Sequence, residues 1–359
     1  MAVKSVGTPL KPAKAVAGPT VGAGYARGLL DFAVSLGARR EALLQQSGID
    51  ARELDDLDNR IALDRYVALI TAGAVLTSEP ALALKYGEAV RMQEISIVGL
   101  ICEACETTMD VGTQLNRYGR LVYDTGDGKP ANMIRLVRED SGFWMEAVSG
   151  VFTAHPLLAE AEFARLVWNT RTMFGGHPHL KAHPFPLEVH FSHPAPVYAA
   201  EFERVFGARV TFGAKWNALR IHEGFLSLRQ PPTSRYVFGV LSEKANALLK
   251  SLENAKTARG QVEGLLIPDL HKGDPSVEKI AEKMGLSRQT LYRKLKAEGA
   301  TFEKLLDELR HKMALHYLTG RKVSVNETAY LVGFSDPSSF SRAFKRWTGA
   351  SPRAARTSL

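Results

Sequence analysis

Long apolar runs are missing from this chain of 359 residues, and thiols are scarce. No stretch approaches the roughly 20 consecutive apolar residues that a transmembrane helix needs, so we predict no membrane partner. The two cysteines, Cys102 and Cys105, form one Cys-x-x-Cys pair in a segment of helical pattern. Free cysteines usually behave as small buried hydrophobes, so the pair predicts neither a redox centre nor a zinc site and fits a reducing cytoplasm.

A secretory signal is not expected in the first residues. Residues 1–22 are rich in Ala, Val, Gly, Pro and Lys, with prolines at positions 9, 12 and 19. Pro19 and the scattered glycines interrupt any apolar core that a signal peptide would need. We therefore predict a disordered tail over residues 1–22.

Recognisable catalytic motifs are absent as well. The chain has no Gly-x-Ser-x-Gly elbow, no Gly-x-x-x-x-Gly-Lys phosphate loop and no His-Glu-x-x-His pair. The adjacent carboxylates Asp55 and Asp56 lie in a short polar loop, where solvated side chains are expected. We predict that the chain is not an enzyme and uses no cofactor, with a DNA-associated enzyme as an alternative.

An internal repeat is present near the end of the chain. Val277–Ser287 and Val325–Ser335 each predict a short helix that ends at a glycine and is followed by a second, basic helix. Glycine accepts the left-handed conformation that a tight helix end requires, and the small Ala281 and Ala329 let the second helix cross closely. The repeat therefore predicts two helix-turn-helix units.

The second helix of each unit presents a basic outer face. Ser287 is the predicted N-cap of one helix, and Asp336, followed by Pro337, is the predicted N-cap of the other. An arginine lies six residues past each cap and a lysine nine past, while apolar residues lie four and eight past and face inward. These residues are Arg293, Lys296, Leu291 and Leu295 in the first helix, and Arg342, Lys345, Phe340 and Phe344 in the second.

The charge of the chain is concentrated in the same segment. Residues 256–359 contain 19 Lys and Arg against 11 Asp and Glu, a net charge of +8. Residues 1–255 contain 27 of each sign, so the whole excess belongs to the segment with the repeat. A basic face on two helix-turn-helix units predicts double-stranded DNA as the partner.

A further helix is predicted between the two units. It opens near Thr301, ends near Gly320 and carries an apolar stripe of Phe302, Leu305, Leu306, Leu309, Met313 and Tyr317. A stripe of this width can pack against both units and fix their separation. We expect the two recognition helices to enter successive major grooves on one DNA face, roughly ten base pairs apart.

These residues resemble the signature of a known family. The run Gly333–Pro352, GFSDPSSFSRAFKRWTGASP, is similar to the signature of AraC/XylS-type transcription regulators, and Leu286–Gly299 resembles that family's first recognition helix. The resemblance implies an all-α C-terminal domain, residues 274–359, with two helix-turn-helix units joined by a linker helix. Two departures are Thr328, where a branched apolar residue is usual, and Ala355, where an aromatic residue is common.

The resemblance also implies roles for side chains of the two recognition helices. It implies base-edge contacts from Gln289, Tyr292, Arg293, Ser338 and Arg342. It implies phosphate contacts from Arg288, Lys296, Lys345 and Arg346. Arginine can bridge two acceptors of guanine, whereas phosphate contacts supply affinity and position without sequence information.

The hydrophobic periodicity changes along the residues that precede the two helix-turn-helix units. From about Tyr25 to Tyr123 the periodicity is helical, and after Gly126 strand-like runs alternate with helices. Strands are predicted at 133–137, 143–148, 187–191 and 209–212, and helices at 156–173 and 237–252. This order predicts an α+β domain, which we place at residues 23–252 and follow with a linker at 253–273.

The last of these helices carries a partial heptad seam. Its apolar residues stand at positions 237, 241, 245, 248 and 252. The seam spans barely two heptads, short of the three or four that indicate a coiled coil. Pairing of two chains and packing on its own domain therefore both stay open.

Several motifs of the front half resemble the arabinose-binding-like regulatory domain of one branch of the same family. They are Leu43–Asp50, Ile61–Leu63, Phe202, Phe206-Gly207, Phe212 and Asn217–Leu219. The resemblance implies an N-terminal sensor that binds a small-molecule effector and a candidate homodimer. It names neither the effector nor the residues of its pocket.

Histidines cluster in one segment of the front half. Five of the ten lie there, namely His177, His179, His183, His190 and His193. Imidazole suits transition metals, so a metal-responsive regulator is an alternative function. Strand alternation, however, directs His190 and Phe191 to opposite faces, and the other four histidines lie in loop-like sequence near prolines. We therefore predict no metal site.

Together these features predict a cytoplasmic, sequence-specific transcription regulator. A small molecule bound by the sensor is expected to alter how the double helix-turn-helix is presented to DNA. RNA polymerase is a further candidate partner, and activation is the commoner mode in the families that the chain resembles.

Overall fold

The computed structural model describes residues 18–127, 133–139, 142–230, 234–273, 275–319 and 323–358. The chain divides into two compact units, a front unit that ends at Leu249 and a rear unit that begins at Lys250. Residues 1–17 of the predicted tail lie outside the described residues, as does Gly320, the predicted end of the middle helix. Within the described ranges, no helix is both long enough and apolar enough to cross a membrane.

The front unit is mainly helical. Side-chain caps begin several helices, since Ser96 and Thr107 accept hydrogen bonds from backbone N–H groups of the turns that follow them. Two 3₁₀ helices cover Ala51–Leu54 and Glu223–Ser227. The α-helices are α1 (Ala23–Ser35), α2 (Arg40–Ser47), α3 (Leu63–Leu76), α4 (Leu82–Ala89), α5 (Met92–Ile95), α6 (Ile97–Glu103), α7 (Thr108–Val122), α8 (Gly150–Ala154), α9 (Pro156–Phe174), α10 (Pro178–Ala182), α11 (Ala199–Phe206) and α12 (Arg235–Asn254).

Two small sheets accompany these helices. In the first, β1 (Thr20–Gly22) pairs antiparallel with both β2 (Arg60–Ala62) and β3 (Tyr123–Asp124). The second contains β4 (Ile134–Glu139), β5 (Gly142–Ala147), β6 (Glu188–His190), β7 (Arg209–Thr211) and β8 (Ala218–Ile221), in the order β4-β5-β8-β6-β7. Only the β6–β7 pair is parallel among the neighbours in this sheet as described. The front unit is therefore an α+β domain, as predicted.

The sequence patterns located four strands of the second sheet within two residues and missed the others. Strand β1 corrects the end of the predicted tail, because Thr20 and Val21 are buried and pair with Ala62 and Ile61. A strand of three residues is too short to display a period of two. It is defined by its partners, which lie about 40 and 100 residues further along the chain.

A buried cation links several elements of the front unit. The Arg165 side chain on α9 is fully buried, forms an ion pair with Glu162 and lies over the rings of Tyr25 at 4.9 Å and Tyr86 at 5.1 Å. The Tyr123 hydroxyl also donates to Glu162, at 2.7 Å. Burial of a charge is tolerated when it is paired, so this network ties α1, α4 and β3 to α9.

Helix α12 packs along part of its length on the front unit. Leu241 and Leu248 pack partly buried against the front core, and Ala245 is fully buried in it. The Tyr118 hydroxyl on α7 donates to Asn246 Oδ1 at 3.1 Å. Packing of α12 on the front unit therefore accounts for three of the apolar positions in the partial heptad seam. Val237, at the start of the seam, is 44% exposed.

The rear unit is all-helical in its described residues. Its helices are α13 (Ala258–Leu266), α14 (Val277–Lys283), α15 (Arg288–Ala297), α16 (Phe302–Thr319), α17 (Val325–Leu331), α18 (Pro337–Thr348) and α19 (Pro352–Ser358), with a 3₁₀ helix at Ile267–Lys272.

The segment that the sequence assigned to a linker, residues 253–273, is corrected by the structure. Helix α13 and the 3₁₀ helix lie in it, and Val262, Leu266 and Leu270 are buried in the rear core. Backbone N–H groups of Ala258 and Arg259 donate to Glu298, just past α15, at 2.8 and 2.9 Å. Apolar residues four positions apart form one buried stripe, so this segment belongs to the rear unit.

Candidate DNA interface

The first helix-turn-helix consists of α14 and α15. Gly285 has the left-handed φ of 66° that was expected at the end of α14. Ser287 is the N-cap of α15, as predicted, and its hydroxyl accepts a hydrogen bond from the backbone N–H of Thr290 at 3.2 Å. Leu291 and Leu295 are buried, so the opposite face of α15 is turned to solvent.

The second helix-turn-helix consists of α17 and α18. Gly333 has a φ of 83°, and a Cβ atom at this position would overlap the carbonyl oxygen of Leu270 in the preceding 3₁₀ helix. Asp336 caps α18, as predicted, by accepting from the backbone N–H of Ser339 at 2.8 Å. Hydrogen bonds from the side chain and the backbone of Ser339 hold the pKa of the Asp336 carboxyl below its ordinary value.

The two departures from the family pattern are accommodated differently. Thr328 is fully buried, and its hydroxyl donates to the Ser324 carbonyl oxygen at 2.8 Å. The hydrogen bond offsets the burial of a polar group at a position where an apolar residue is usual. Ala355 on α19 packs partly buried against the rear core.

Helix α16 braces the rear unit. Its inner side chains Phe302, Leu305, Leu306 and Leu309 are buried in the same core as the inner faces of α15 and α18. The Arg310 guanidinium donates to the carbonyl oxygens of Val332 and Gly333, both at 3.2 Å, and lies 4.9 Å from the Phe334 ring centre. Arg310 therefore connects α16 directly to the turn of the second unit.

Polar contacts extend the brace to both recognition helices. Asp307 on α16 pairs with Arg346 on α18 at 2.6 Å. Glu308 pairs with Arg259 on α13 at 2.6 Å, and the first residues of α13 donate to Glu298 at the end of α15. The periodicity of α16 predicted its apolar stripe, but it gave no signal for Arg310, Asp307 or Glu298 because their partners are distant in sequence.

All residues predicted to contact DNA bases lie on the exposed side of a recognition helix. Gln289, Tyr292 and Arg293 are exposed on α15, and Tyr292 leaves 57% of its surface in solvent. Ser338 and Arg342 are exposed on α18, where the Arg342 guanidinium donates to Ser339 Oγ at 2.9 Å.

The residues predicted to contact phosphates are exposed as well. Lys296 and Lys345 lie on the last turns of α15 and α18. Arg288 pairs with Glu278 at 3.1 Å, and Arg346 pairs with Asp307, with both arginines about two-thirds exposed or more. Exposed ion pairs contribute little to stability, so both guanidinium groups can exchange a carboxylate for a phosphate.

Comparisons with known proteins identify the family. A model of the arabinose-binding domain of AraC transcription regulators, N-terminal, matches residues 37–230, and a helix-turn-helix domain model matches residues 280–358. The chain belongs to the AraC family of transcription regulators. It is a DNA-binding transcription regulator with an N-terminal ligand-binding domain.

Relatives of this chain differ in how much of its length they match. The ornithine utilization regulator of Pseudomonas aeruginosa is 28% identical over 333 residues, which cover 91% of this chain and 94% of that protein. The transcriptional activator RhaS of Escherichia coli is 34% identical over 111 residues, covering 31% of this chain and 40% of that protein. A solved structure of the regulator CdpR from Pseudomonas aeruginosa is 21% identical, with a TM-score of 0.33, and covers 77% of this chain and 87% of its own.

The two alternative functions receive no support from these comparisons. The five clustered histidines do not meet at one point: the imidazole of His190 contacts Glu188 at 2.9 Å, and Nε2 of His193 lies 3.6 Å from Glu160. His179 and His183 instead approach His222, from outside the cluster.

Cys102 and Cys105 are free and buried, as predicted, and burial raises the pKa of the Cys105 thiol to about 12.

The front unit contains a small, partly enclosed cavity that the sequence did not reveal. Its volume is about 70 Å³, and it lies between α6, α7, α9 and the sheet strands β4 and β5. Polar groups at its border include Thr108, whose hydroxyl donates to the Phe225 carbonyl oxygen, and Asn169, whose side chain bonds three backbone groups. Most of the lining is apolar, including Met92, Met145, Met173, Leu115, Ile134, Leu166 and Phe174.

Proposed function

We propose that α15 and α18 read DNA together by entering successive major grooves on one face of the duplex. The observation that carries this proposal is the position of α16. This helix shares one core with both recognition helices, and its Arg310 donates hydrogen bonds to the turn of the second unit. Both outer faces are exposed and basic, and both helices are capped at matching positions. Two rigidly connected readers allow one chain to recognise a long, non-palindromic site.

Each exposed side chain then has a role. The five exposed residues assigned above to base edges supply selectivity, with Arg293 and Arg342 suited to two hydrogen bonds with one guanine. Arg288, Lys296, Lys345 and Arg346 contact phosphates and supply affinity that falls with salt.

A pair of variants tests these roles on sites selected from random duplexes. Arg342→Ala should relax selectivity at one position of the site and weaken binding by about 1–3 kcal/mol, because one base contact is lost. Lys296→Ala should weaken binding to every sequence alike and lower the dependence of affinity on salt. Unchanged selectivity in Arg342→Ala would show that α18 is docked in another register.

We also propose that the effector is a small, largely apolar molecule bound in the cavity of the front unit. A cavity of about 70 Å³ is smaller than most ligand pockets, so binding must enlarge it. Three methionines in the lining support such a change, because their flexible side chains adapt to differently shaped ligands. Effector control requires different affinities for two states of the protein.

Benzene serves as an apolar probe of this cavity, and L-ornithine as a polar one. We expect benzene to raise the melting temperature of the full chain and L-ornithine to leave it unchanged. Leu166→Phe fills the cavity and should abolish the benzene effect, whereas Leu157→Phe on the same helix, away from the lining, should retain it. Stabilisation by L-ornithine alone would place the effector site elsewhere.

A homodimer and contact with RNA polymerase are further parts of this proposal. The exposed side chains Tyr236, Val237 and Val240 on α12 support a second copy as a partner. Sedimentation of the wild type and of Val240→Asp would measure this association. Contact with RNA polymerase rests on the family resemblance alone.

A further inference from the structure

Three histidines of the front unit converge although they come from separate elements. His179 lies on α10, His183 directly follows that helix, and His222 caps the 3₁₀ helix that follows β8. The ring centres of His179 lie 5.0 Å from His183 and 4.9 Å from His222, and those of His183 and His222 are 3.7 Å apart. One nitrogen from each ring lies within 4.8 Å of the corresponding atoms of the other two.

The backbone makes room for this group. A Cβ atom on Gly224 would lie 2.5 Å from Cε1 of His179, so a larger residue would push the ring away. The φ of Gly224 is not in the left-handed region, so a turn does not explain the glycine. Nε2 of His179 is buried and has no hydrogen-bond partner among the described residues. A buried imidazole nitrogen that bonds no described residue and lies next to two other imidazoles is suited to bind a metal ion.

We propose that His179, His183 and His222 bind one divalent transition-metal ion. Imidazole nitrogen is a preferred ligand of Zn²⁺, and three protein ligands with one open position is a common arrangement for this ion. In the described residues, no carboxylate or thiol joins the group, so the site carries no ligand charge of its own. Water would then complete the tetrahedral coordination.

Binding requires a local change of the side chains. The rings of His183 and His222 are almost parallel, at 12°, so one must rotate before both nitrogens can point at one ion. His222 Nδ1 accepts from the Gly224 N–H at 3.2 Å, so a metal bond from Nδ1 would replace this hydrogen bond, whereas a metal bond from Nε2 would leave it in place. A ring rotation is a side-chain change and does not by itself require the backbone to move.

The three histidines of the proposed metal site come from two parts of the front unit, which a bound ion would connect. The ion would join α10 to the 3₁₀ helix Glu223–Ser227, whose Phe225 lines the cavity of the front unit. The carbonyl oxygen of Phe225 also accepts from Thr108 at the start of α7. A bound ion therefore fixes one wall of that cavity, and this role goes beyond the DNA-binding function.

The test uses the untagged full chain after treatment with a chelator. Zn²⁺ titration by calorimetry should show one ion per chain, and Co²⁺ should give the intense visible absorption of a tetrahedral site. His222→Ala and His183→Gln should each weaken Zn²⁺ binding by at least about tenfold, since each removes a ligand. His271→Ala, at an exposed histidine of the rear unit, should bind as the wild type does.

The outcomes are decisive even when a variant folds poorly. Circular dichroism of each metal-free variant establishes its fold before titration. Folded wild-type protein that binds neither Zn²⁺ nor Co²⁺ overturns the proposal, whatever the variants do. Wild-type affinity in both folded variants, or octahedral Co²⁺ absorption, overturns the assignment of these three ligands.

Discussion

At Glu160, two effects act in opposite directions on one carboxyl group. The residue is 2% exposed, and burial raises its pKa to about 7, while a hydrogen bond from the Tyr198 hydroxyl at 3.0 Å acts to lower it. His193 faces the same carboxyl at 3.6 Å, and burial lowers the pKa of its imidazole. Burial therefore favours the neutral form of both groups.

Glu160 makes the stability of the front unit depend on pH. Because its folded pKa of about 7 exceeds the ordinary value of 4.5, its contribution is fully present below pH 4.5 and is lost as pH rises through 7. We expect a loss of about 3 kcal/mol of unfolding free energy across this window, at 1.36 kcal/mol per pKa unit. Denaturant unfolding of wild type and Glu160→Gln at several pH values measures it.

The comparison isolates Glu160 from its neighbour. His193 has the opposite effect, because its lowered pKa makes stability fall as pH drops below the ordinary histidine value. His193 is present in both proteins, so their difference reports Glu160. Parallel pH profiles for wild type and Glu160→Gln would contradict the raised pKa.

The sequence predicted the roles of some residues and not of others. Ser287 and Asp336 were predicted as N-caps because a cap is recognised from the few residues that follow it. Glu160 was not recognised, since burial of a carboxyl group depends on Tyr198 and His193, which lie more than thirty residues away. The register of Arg293 and Arg342 on DNA stays a prediction.

At the scale of elements, the two helix-turn-helix turns look alike in sequence but differ in their surroundings. Gly285 and Gly333 both have positive φ values, of 66° and 83°. A Cβ atom at Gly285 meets nothing within 4 Å, whereas one at Gly333 would overlap the Leu270 carbonyl oxygen. The second turn therefore requires glycine for space as well as for conformation.

Replacing each of these glycines with alanine separates the effect of backbone conformation from the effect of limited space. Gly285→Ala should lower the unfolding free energy of the chain by about 1–2 kcal/mol, the cost of a left-handed residue with a side chain. Gly333→Ala should lower it further, because the 3₁₀ helix Ile267–Lys272 must also move. Urea unfolding of both variants provides the measurement, and equal losses would show that the close approach to Leu270 is not maintained.

Elements with strong local signals were predicted best. Helices α15, α16 and α18 have caps and apolar stripes that the chain displays within a few residues. Helix α13 was placed in a linker because its stripe is short and its anchor, Glu298, lies 40 residues away. The group of His179, His183 and His222 was missed for the same reason, since His222 lies 39 residues after His183 in sequence.

At the scale of the whole molecule, the two units differ in net charge and in fold, and we expect them to differ in function. Residues 1–255 are electrically balanced, and residues 256–359 carry the net charge of +8. Affinity for DNA and its dependence on salt should therefore belong to the rear unit. In the proposed mode of binding, selectivity over a long site requires both recognition helices to contact the same duplex.

Hydroxyl-radical footprinting of the full chain on a selected duplex tests this central claim most directly. The account predicts that each bound chain protects two patches on one face of the duplex, centred roughly ten base pairs apart. Arg293→Ala and Arg342→Ala should each weaken protection in a different patch. Only one protected patch, or two that require two chains, would contradict the account.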